Sequence, residues 1–303
     1  MKKLLLALAI CVSSTGFAQV LDVASVQKLN TPSNTDNTVV GISPKGDFIL
    51  LSTAQNVGLT KYDLSSGESS VVTTAPGAGF GAQISNDGST IVYRETSFGA
   101  NHLRKASLKT KNLSTGESAT ILSDSRDIQA VAMDGNSLIS INKGKKIAKS
   151  LNTEKVKANA PVLSINNGKL MITRNGNTKD FSPNGKQFSY IWQSVSPDAS
   201  KALYYICGVG AFVCNIDGSN VKSLGKIRAP KWYNNDIVIG MNDIDNGDVV
   251  LSSSIVATTL NGVKQTLTDN SCIAMYPYAS ADGSKIVCSN PSGEAYMINI
   301  NVK

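Results

Sequence analysis

The sequence contains a single histidine, His102, among its 303 residues. One histidine excludes metal centres that are built from several imidazoles. A Ser-His-Asp triad would need a nucleophile elbow, and the pattern Gly-x-Ser-x-Gly does not occur. We therefore interpret His102 as a loop or strand residue. The sequence indicates no catalytic residues, no metal ligands and no cofactor.

Long apolar runs are scarce as well. The exception is the run 4–12, which follows Lys2 and Lys3 and precedes small residues ending at Ala18. This layout predicts a secretory signal peptide over residues 1–18, with cleavage after Ala18. A run of roughly nine residues is too short for a bilayer that needs about 20. The alternative is a lipid anchor on Cys11, although a bulky Ile10 precedes it. The mature chain is expected to be exported, periplasmic or secreted, without a transmembrane segment.

Positive charge is in mild excess and is spread along the chain. The formal net charge is +7, and loss of Lys2 and Lys3 lowers it to +5. The longest basic cluster lies at 143–146, and no basic stretch is interleaved with aromatic residues, which make up 6% of the chain. Such dispersed charge is typical of a solvated surface, so a nucleic-acid partner is not expected.

Cysteine is sparse, with four residues left after position 18: Cys207, Cys214, Cys272 and Cys288. In an oxidising compartment they allow three pairings. We predict that any disulfide joins Cys207 to Cys214, which flank a Gly-Val-Gly turn. That bond would need a slipped or bulged hairpin, because a tight turn places Cys207 opposite residue 211 or 212. The alternative is that all four are small apolar residues of strands.

One phrase recurs along the chain: an apolar strand, a turn of the type Ser-(Pro/Asn/Ala)-(Asp/Lys)-Gly, and a second apolar strand. Its copies are GISPKGDFILLS at 41, QISNDGSTIVYR at 83, AVAMDGNSLISI at 130, SVSPDASKALYY at 194, KWYNNDIVIGM at 231 and YASADGSKIVCS at 278. Proline and Asp-Gly favour a reversing turn at these positions. Two copies lose the turn glycine, to Ala199 and to Asn-Asn-Asp, and these are predicted to turn differently.

Most copies continue into two more short strands, so that four strands fill a little over 40 residues. Four-stranded units at this period indicate a β-propeller. Six copies predict an all-β fold, a single six-bladed propeller over residues 19–303. The interval of 64 residues between the third and fourth copies is interpreted as an insertion in blade three. The last copy lacks a fourth strand, and residues 20–29 are predicted to supply it and to close the ring.

These turn phrases resemble the repeats of TolB-type propellers, and the segment LTDNSCIAMYPYASADGSKIV (267–287) is the fullest copy. The resemblance covers nearly the whole mature chain, but the α/β domain that precedes the propeller in TolB has no room here. Similar blades occur in periplasmic scaffold proteins, in prolyl-oligopeptidase-type enzymes and in carbohydrate lyases. The resemblance therefore implies a fold and leaves the function open.

The densest acidic group is the segment MNDIDNGDVV, with Asp243, Asp245 and Asp248 around Asn-Gly. It departs from the order of an EF-hand loop and lacks the closing glutamate, so we interpret it as a hairpin turn, with a cation site as the alternative. Tyr276 begins the sixth repeat and is the aromatic residue expected nearest the channel mouth. Together these four residues are the predicted ligand-binding set.

The function predicted from these features is a non-catalytic scaffold that binds a protein, a peptide or another component of the cell envelope. The alternative is a carbohydrate-binding or glycan-active protein whose site lies in the propeller funnel. Residues from different blades would converge there without being neighbours in the sequence. Recognition is expected on the face that carries the loops between blades, and the Ser-x-Asp-Gly turns of the opposite face are expected to serve folding alone.

Overall fold

The computed structural model describes residues 19–32, 37–156, 159–269 and 271–302. These residues form strands and turns and no helix. Accordingly, the described part of the chain contains no helix that could cross a membrane. The predicted signal peptide and Cys11 lie outside the described residues. Cleavage after Ala18 and the absence of a lipid anchor therefore remain predictions.

The strands form seven antiparallel sheets, the blades of a propeller. The N-terminal strand is β1 (Val23–Lys28). Blade 1 contains β2 (Asn37–Ile42), β3 (Phe48–Thr53), β4 (Leu59–Asp63) and β5 (Ser69–Thr73). Blade 2 contains β6 (Gln83–Ile84), β7 (Thr90–Phe98), β8 (Arg104–Asn112) and β9 (Ser118–Ser125). Blade 3 contains β10 (Ile128–Asp134), β11 (Ser137–Asn142) and β12 (Lys145–Ser150).

The second half of the chain continues in the same way. Blade 4 contains β13 (Val162–Asn166), β14 (Lys169–Arg174) and β15 (Asn177–Asp180). Blade 5 contains β16 (Tyr190–Val195), β17 (Lys201–Ile206), β18 (Gly210–Asn215) and β19 (Lys222–Gly225). Blade 6 contains β20 (Arg228–Trp232), β21 (Ile237–Asp245), β22 (Val250–Thr259) and β23 (Lys264–Thr266). Blade 7 contains β24 (Met275–Ala279), β25 (Lys285–Ser289) and β26 (Ala295–Ile300), together with β1.

The predicted number of six blades is wrong, because the long interval between the third and fourth sequence copies holds two blades. The first strands of blades 3, 4 and 5 begin at residues 128, 162 and 190. Blades 3 and 4 each have three strands, so each needs fewer residues than a four-stranded unit. Blade 4 escaped detection because its first hairpin turns through Asn-Asn-Gly at 166–168, without the Ser-x-Asp pattern.

The predicted closure by the N-terminus is confirmed. Strand β1 pairs antiparallel with β26, with Val26 opposite Ile298. Leu21 is buried in the apolar cluster between blades 6 and 7, and Leu29 in the cluster between blades 7 and 1. The N-terminal segment therefore supplies both a strand and core side chains to the last blade.

Seven buried apolar clusters fill the seven contacts between neighbouring blades. Because a sheet of three or four strands is too small to form its own core, each blade buries its faces against its neighbours. The clusters have eight to ten buried members, except on the two sides of blade 3, where they have three and four. The apolar core is thus a ring that is thinnest around blade 3.

The ends of the strands define two faces of the ring. We call the end with the turns from the first to the second strand of each blade the turn face, and the opposite end the loop face. On the turn face, neighbouring turns are joined by hydrogen bonds from the Asp282 amide to the Pro44 carbonyl at 3.0 Å and from the Tyr233 hydroxyl to the Gly283 carbonyl at 2.6 Å. The repeated turns therefore connect blades as well as strands.

The turn at Ala199 does not differ from the glycine-containing copies, contrary to the prediction. Ala199 adopts φ 60°, and its amide donates to the Ser196 carbonyl at 2.8 Å, as Gly88 does to Ser85. The turn keeps its form because Asp198 accepts hydrogen bonds from the hydroxyl of Ser196 and from residue 200. The copy at 231 does differ, as predicted: Asn234 caps a turn that is one residue shorter.

Candidate functional site at the loop face of blades 5 to 7

Arg228 organises the predicted acidic segment. It stands at the start of β20, and its Nη1 donates to Asp243 Oδ2 at 2.6 Å and to Asp245 Oδ2 at 3.0 Å. The Asp243 side chain is only 2% exposed, and that of Asp245 is 44% exposed. Asp248 lies in the turn between the second and third strands of blade 6. Sequence reasoning missed Arg228, because pairing in the sheet and not sequence proximity brings it to the aspartates.

This arrangement is suited to a cationic or hydrogen-bonding ligand more than to a metal ion. Arg228 already neutralises one of the two carboxylates that it contacts, so the trio carries one net negative charge. Among the described residues no group of three histidine, cysteine or acidic side chains could hold a metal ion. Asp245 and Asp248 are exposed and remain available to a partner.

Tyr276 lies at a bulge in the first strand of blade 7, between the register positions Met275 and Tyr278. It is 40% exposed and adopts φ 53°. The first strands of blades 5 and 6 have the same bulge, with Trp192 at φ 52° and Ala229 at φ 46°. A positive φ is costly for a bulky residue, by about 1–3 kcal/mol, and such strain is concentrated at functional sites. Aromatic residues thus occupy equivalent positions on both sides of blade 6.

Trp192 packs edge-to-face against Tyr205 of β17, with ring centroids 5.1 Å apart. Burial raises the pKa of the Tyr205 hydroxyl, which lies within electrostatic reach of Arg228 and Asp243. An aromatic pair of blade 5 therefore adjoins the ion pair of blade 6. The residue types are those that dominate energetic hot spots of protein interfaces, namely Trp, Tyr and Arg.

The hairpin between β21 and β22 carries large apolar side chains in the open. Ile244 is 65% exposed, and Val249 and Leu251 are each 57% exposed. These two strands have nine and ten residues, whereas most strands of the ring have four to six. The hairpin thus extends past the first strand of blade 6, whose pairing ends at Arg228 opposite Met241. Grouped exposed apolar residues of this size mark interaction surfaces.

The other aromatic residues at the starts of these blades pack between blades or join their turns. Trp232 packs against the cluster between blades 5 and 6. Tyr233 donates its hydroxyl to the Gly283 carbonyl. Tyr278 packs against the cluster between blades 7 and 1, and the Lys231 ammonium lies 4.8 Å from its ring centroid.

The structure does not bring Cys207 and Cys214 together. Cys214 lies opposite Ala202 in the hairpin, and Cys207 directly follows Ile206, which is opposite Gly210. Cys207 lies five residues along the strand from Ala202, so the two cysteines are more than about 13 Å apart along the sheet, well beyond the reach of a disulfide. Both thiols are free, and Cys214 is buried. Burial raises the pKa of the Cys214 thiol to about 12, as expected for an inert strand residue.

His102 lies at the exposed tip of the hairpin between β7 and β8, with φ 56°. This is the loop position that the sequence favoured. Its neighbours at the tip, Phe98 and Leu103, are 68% and 38% exposed. Blade 2 thus carries a second long hairpin with exposed apolar residues on the loop face.

Known structures share the propeller fold. TolB from Acinetobacter baumannii is 16% identical, with a TM-score of 0.52 over 79% of this chain and 56% of its own. An oligogalacturonate lyase in complex with manganese is 13% identical, with a TM-score of 0.49 over 86% of this chain and 76% of its own. The oligogalacturonate lyase from Vibrio parahaemolyticus is 13% identical, with a TM-score of 0.47 over 85% of this chain and 76% of its own. No protein-family profile and no curated protein matches the sequence. The likeness is one of fold, and the chain spans about half the length of TolB.

Proposed function

We propose that this protein is a non-catalytic β-propeller that binds a protein or peptide partner through the loop face of blades 5 to 7. The observation that carries the proposal is the long hairpin of blade 6, which exposes Ile244, Val249 and Leu251 beside Asp245 and Asp248. An apolar patch that is rimmed by charge is the usual composition of a protein interface.

The strained aromatic positions support this reading. Trp192 and Tyr276 occupy equivalent bulges on either side of blade 6, the blade that carries the Arg228 ion pair. Trp192 packs partly against the cluster between blades 5 and 6, whereas Tyr276 is 40% exposed. Tyrosine and tryptophan give a large contact area at little cost in side-chain entropy. Basic peptide side chains would find both a carboxylate and an aromatic face at this rim.

The place of action is part of the same proposal. Residues 1–18 have the layout of a secretory signal, so the partner is expected to be a component of the cell envelope. Mass spectrometry of the mature protein tests this point. We expect a first residue of Gln19 and no lipid, and a diacylglycerol adduct on Cys11 would contradict it.

Site-specific photo-crosslinking tests the proposed surface. A photoreactive amino acid replaces Leu251 on the loop face, and in a matched protein it replaces Val263, which is 40% exposed at the opposite end of blade 6. After irradiation in the native envelope, we expect a discrete protein adduct at position 251 and none at 263. Equal labelling at both positions, or an adduct at 263 alone, would show that the wrong face was chosen.

Two substitutions separate protein binding from the glycan alternative. Ile244→Ala with Asp245→Ala should abolish the adduct, whereas the control pair Val263→Ala with Glu117→Ala on the turn face should preserve it. A glycan array probed with the unmodified protein and with Tyr276→Ala provides the second arm. Glycan binding that Tyr276→Ala removes, together with an absence of protein adducts, would replace the proposal by its alternative.

A further inference from the structure

Arg94 of β7 is a buried arginine on the loop face of blade 2. It is 9% exposed, and its Nη1 donates to the Phe80 carbonyl at 2.9 Å. The Phe80 ring, which is 57% exposed, lies 5.1 Å from the guanidinium carbon. Phe80 belongs to the segment that enters blade 2 from blade 1. Among the described residues, the Phe80 carbonyl is thus the one hydrogen-bond acceptor recorded for a group that has five N–H donors.

Arg94 has no carboxylate partner among the residues that the structure describes. Within the described part of the chain, Arg228 is the arginine that forms ion pairs with aspartate, and Arg94 forms none. The charged side chain that acts on Arg94 is another arginine, Arg104 of β8. Burial, followed by this repulsion, lowers the pKa of Arg94 to about 10. A buried charge is ordinarily paired or bound to an ion, so a buried arginine whose charged neighbour is a second arginine is unusual.

The unused donors are reachable from solvent. In the described residues, buried side-chain polar atoms that lack a partner belong to Ser164, Ser194 and Trp232. No nitrogen of Arg94 is both buried and without a partner, so each of its nitrogens that makes no hydrogen bond to protein has some solvent-accessible surface. Arg104 is exposed, and its Nη2 donates at 3.4 Å to Oγ1 of Thr96, which stands two residues after Arg94 on the same side of β7.

We propose that Arg94 and Arg104 form a binding site for an oxyanion, a carboxylate or a phosphate, on the loop face of blade 2. Arginine recognises both groups through paired N–H donors. The exposed Phe80 ring adds an apolar wall for whatever carries the anion. This site is separate from the rim of blades 5 to 7 and does not depend on the function proposed for that rim.

The test is NMR of the arginine Nε–Hε groups in the full mature chain, titrated with sodium acetate and with sodium phosphate. Sodium chloride at the same ionic strength is the reference. We expect the Arg94 resonance, assigned by its loss in Arg94→Met, to shift and saturate with acetate or phosphate and not with chloride. Saturation by acetate alone assigns a carboxylate, and tighter saturation by phosphate assigns a phosphate. No shift, or the same shift with chloride, overturns the proposal.

Two variants distinguish a binding role from a purely structural one. Arg104→Gln, an exposed substitution, should weaken the apparent affinity by roughly tenfold, the loss of one charge-assisted contact. Arg174→Gln is the matched control, because Arg174 donates to the Ile216 carbonyl and lies near Asp217, and it should leave the affinity unchanged. In anion-free buffer, Arg94→Met should keep or raise the melting temperature. A marked fall, with unchanged binding in Arg104→Gln, would assign Arg94 to the fold alone.

Discussion

Blades 3 and 7 are tied into the same ring in different ways. Blade 7 has four strands, one of them from the N-terminus, and lies between buried clusters of ten and nine residues. Blade 3 has three strands and lies between clusters of three and four buried residues among those described. Since apolar burial is the main source of stability, the ring is expected to be strong where its ends meet and weak at blade 3.

Deletion of residues 19–30 is expected to have the largest effect, because it makes blade 7 three-stranded, as blade 3 is. It removes β1 and the buried side chains of Leu21 and Leu29. Loss of one buried leucine costs about 2–5 kcal/mol, so the deletion should cost more than about 4 kcal/mol or prevent folding. Thermal melting and light scattering measure the loss and any aggregation through the exposed edge of β26. An unchanged melting temperature would show that three strands suffice for a closing blade.

Hydrogen exchange compares the two blades directly in the intact protein. Amides of β11 in blade 3 should exchange at least roughly tenfold faster than those of β25 in blade 7, because local opening of blade 3 exposes less apolar surface. Mass spectrometry of peptides from the two strands measures the ratio. Equal protection would mean that the ring opens only as a whole and that the thin core around blade 3 has no local consequence.

A glycine at position 199 should stabilise the protein by about 0.5–1 kcal/mol. Ala199 has φ 60°, a conformation that costs an L-residue about 1–2 kcal/mol. Glycine removes that cost, but part of the gain is offset because glycine raises the conformational entropy of the unfolded chain. The equivalent turns of blades 2 and 7 already have glycine. Urea denaturation of Ala199→Gly measures the gain.

Gly88→Ala in blade 2 is the matched control for this substitution. Its φ is 75°, and the nearest atom to an added Cβ is 3.9 Å away, so backbone strain is the main change. It should destabilise by about 1 kcal/mol. Effects of equal sign in the two variants would contradict the explanation by φ.

The turn aspartates should make a small contribution to stability that disappears in acid. Hydrogen bonds from Ser196, opposed by burial and joined by those from Ser200, lower the pKa of Asp198 from 3.8 to about 2. A lowered pKa means that this stabilisation is complete above pH 4 and is lost as the pH falls from about 4 to 2. Because the side chain is 38% exposed, we expect less than about 1 kcal/mol.

Melting temperatures from pH 5 to pH 2 test this for Asp198→Asn and for Asp134→Asn. Asp134 precedes the turn glycine of blade 3 but has no serine two residues before it. The first variant should flatten the acid limb of the curve more than the second does. An identical response would show that the acid sensitivity does not come from the Ser-x-Asp turns.

Sequence predictions succeeded where they rested on local patterns and failed where they depended on contacts across strands or between blades. The turns and the closing strand were found because Ser-x-Asp phrases and a missing fourth strand are local features. Blade 4 was missed because its turn uses different residues. Arg228 was missed because its partners, Asp243 and Asp245, reach it across paired strands. The Cys207–Cys214 pairing was expected from short separation, but the regular hairpin register holds the two residues apart.

The sequence by itself determined an all-β chain of repeated hairpins, since alternating apolar residues and turn residues act over a few positions. It also indicated that the N-terminal strand must return to the last blade, because that blade lacks a fourth strand and would otherwise leave an unpaired edge. Only the tertiary structure decided that the ring has seven blades, that Arg228 holds two aspartates, and that Arg94 is buried within electrostatic reach of Arg104. These features depend on how neighbouring sheets pack and on which side chains then meet across blades, and such contacts leave no local pattern in the chain.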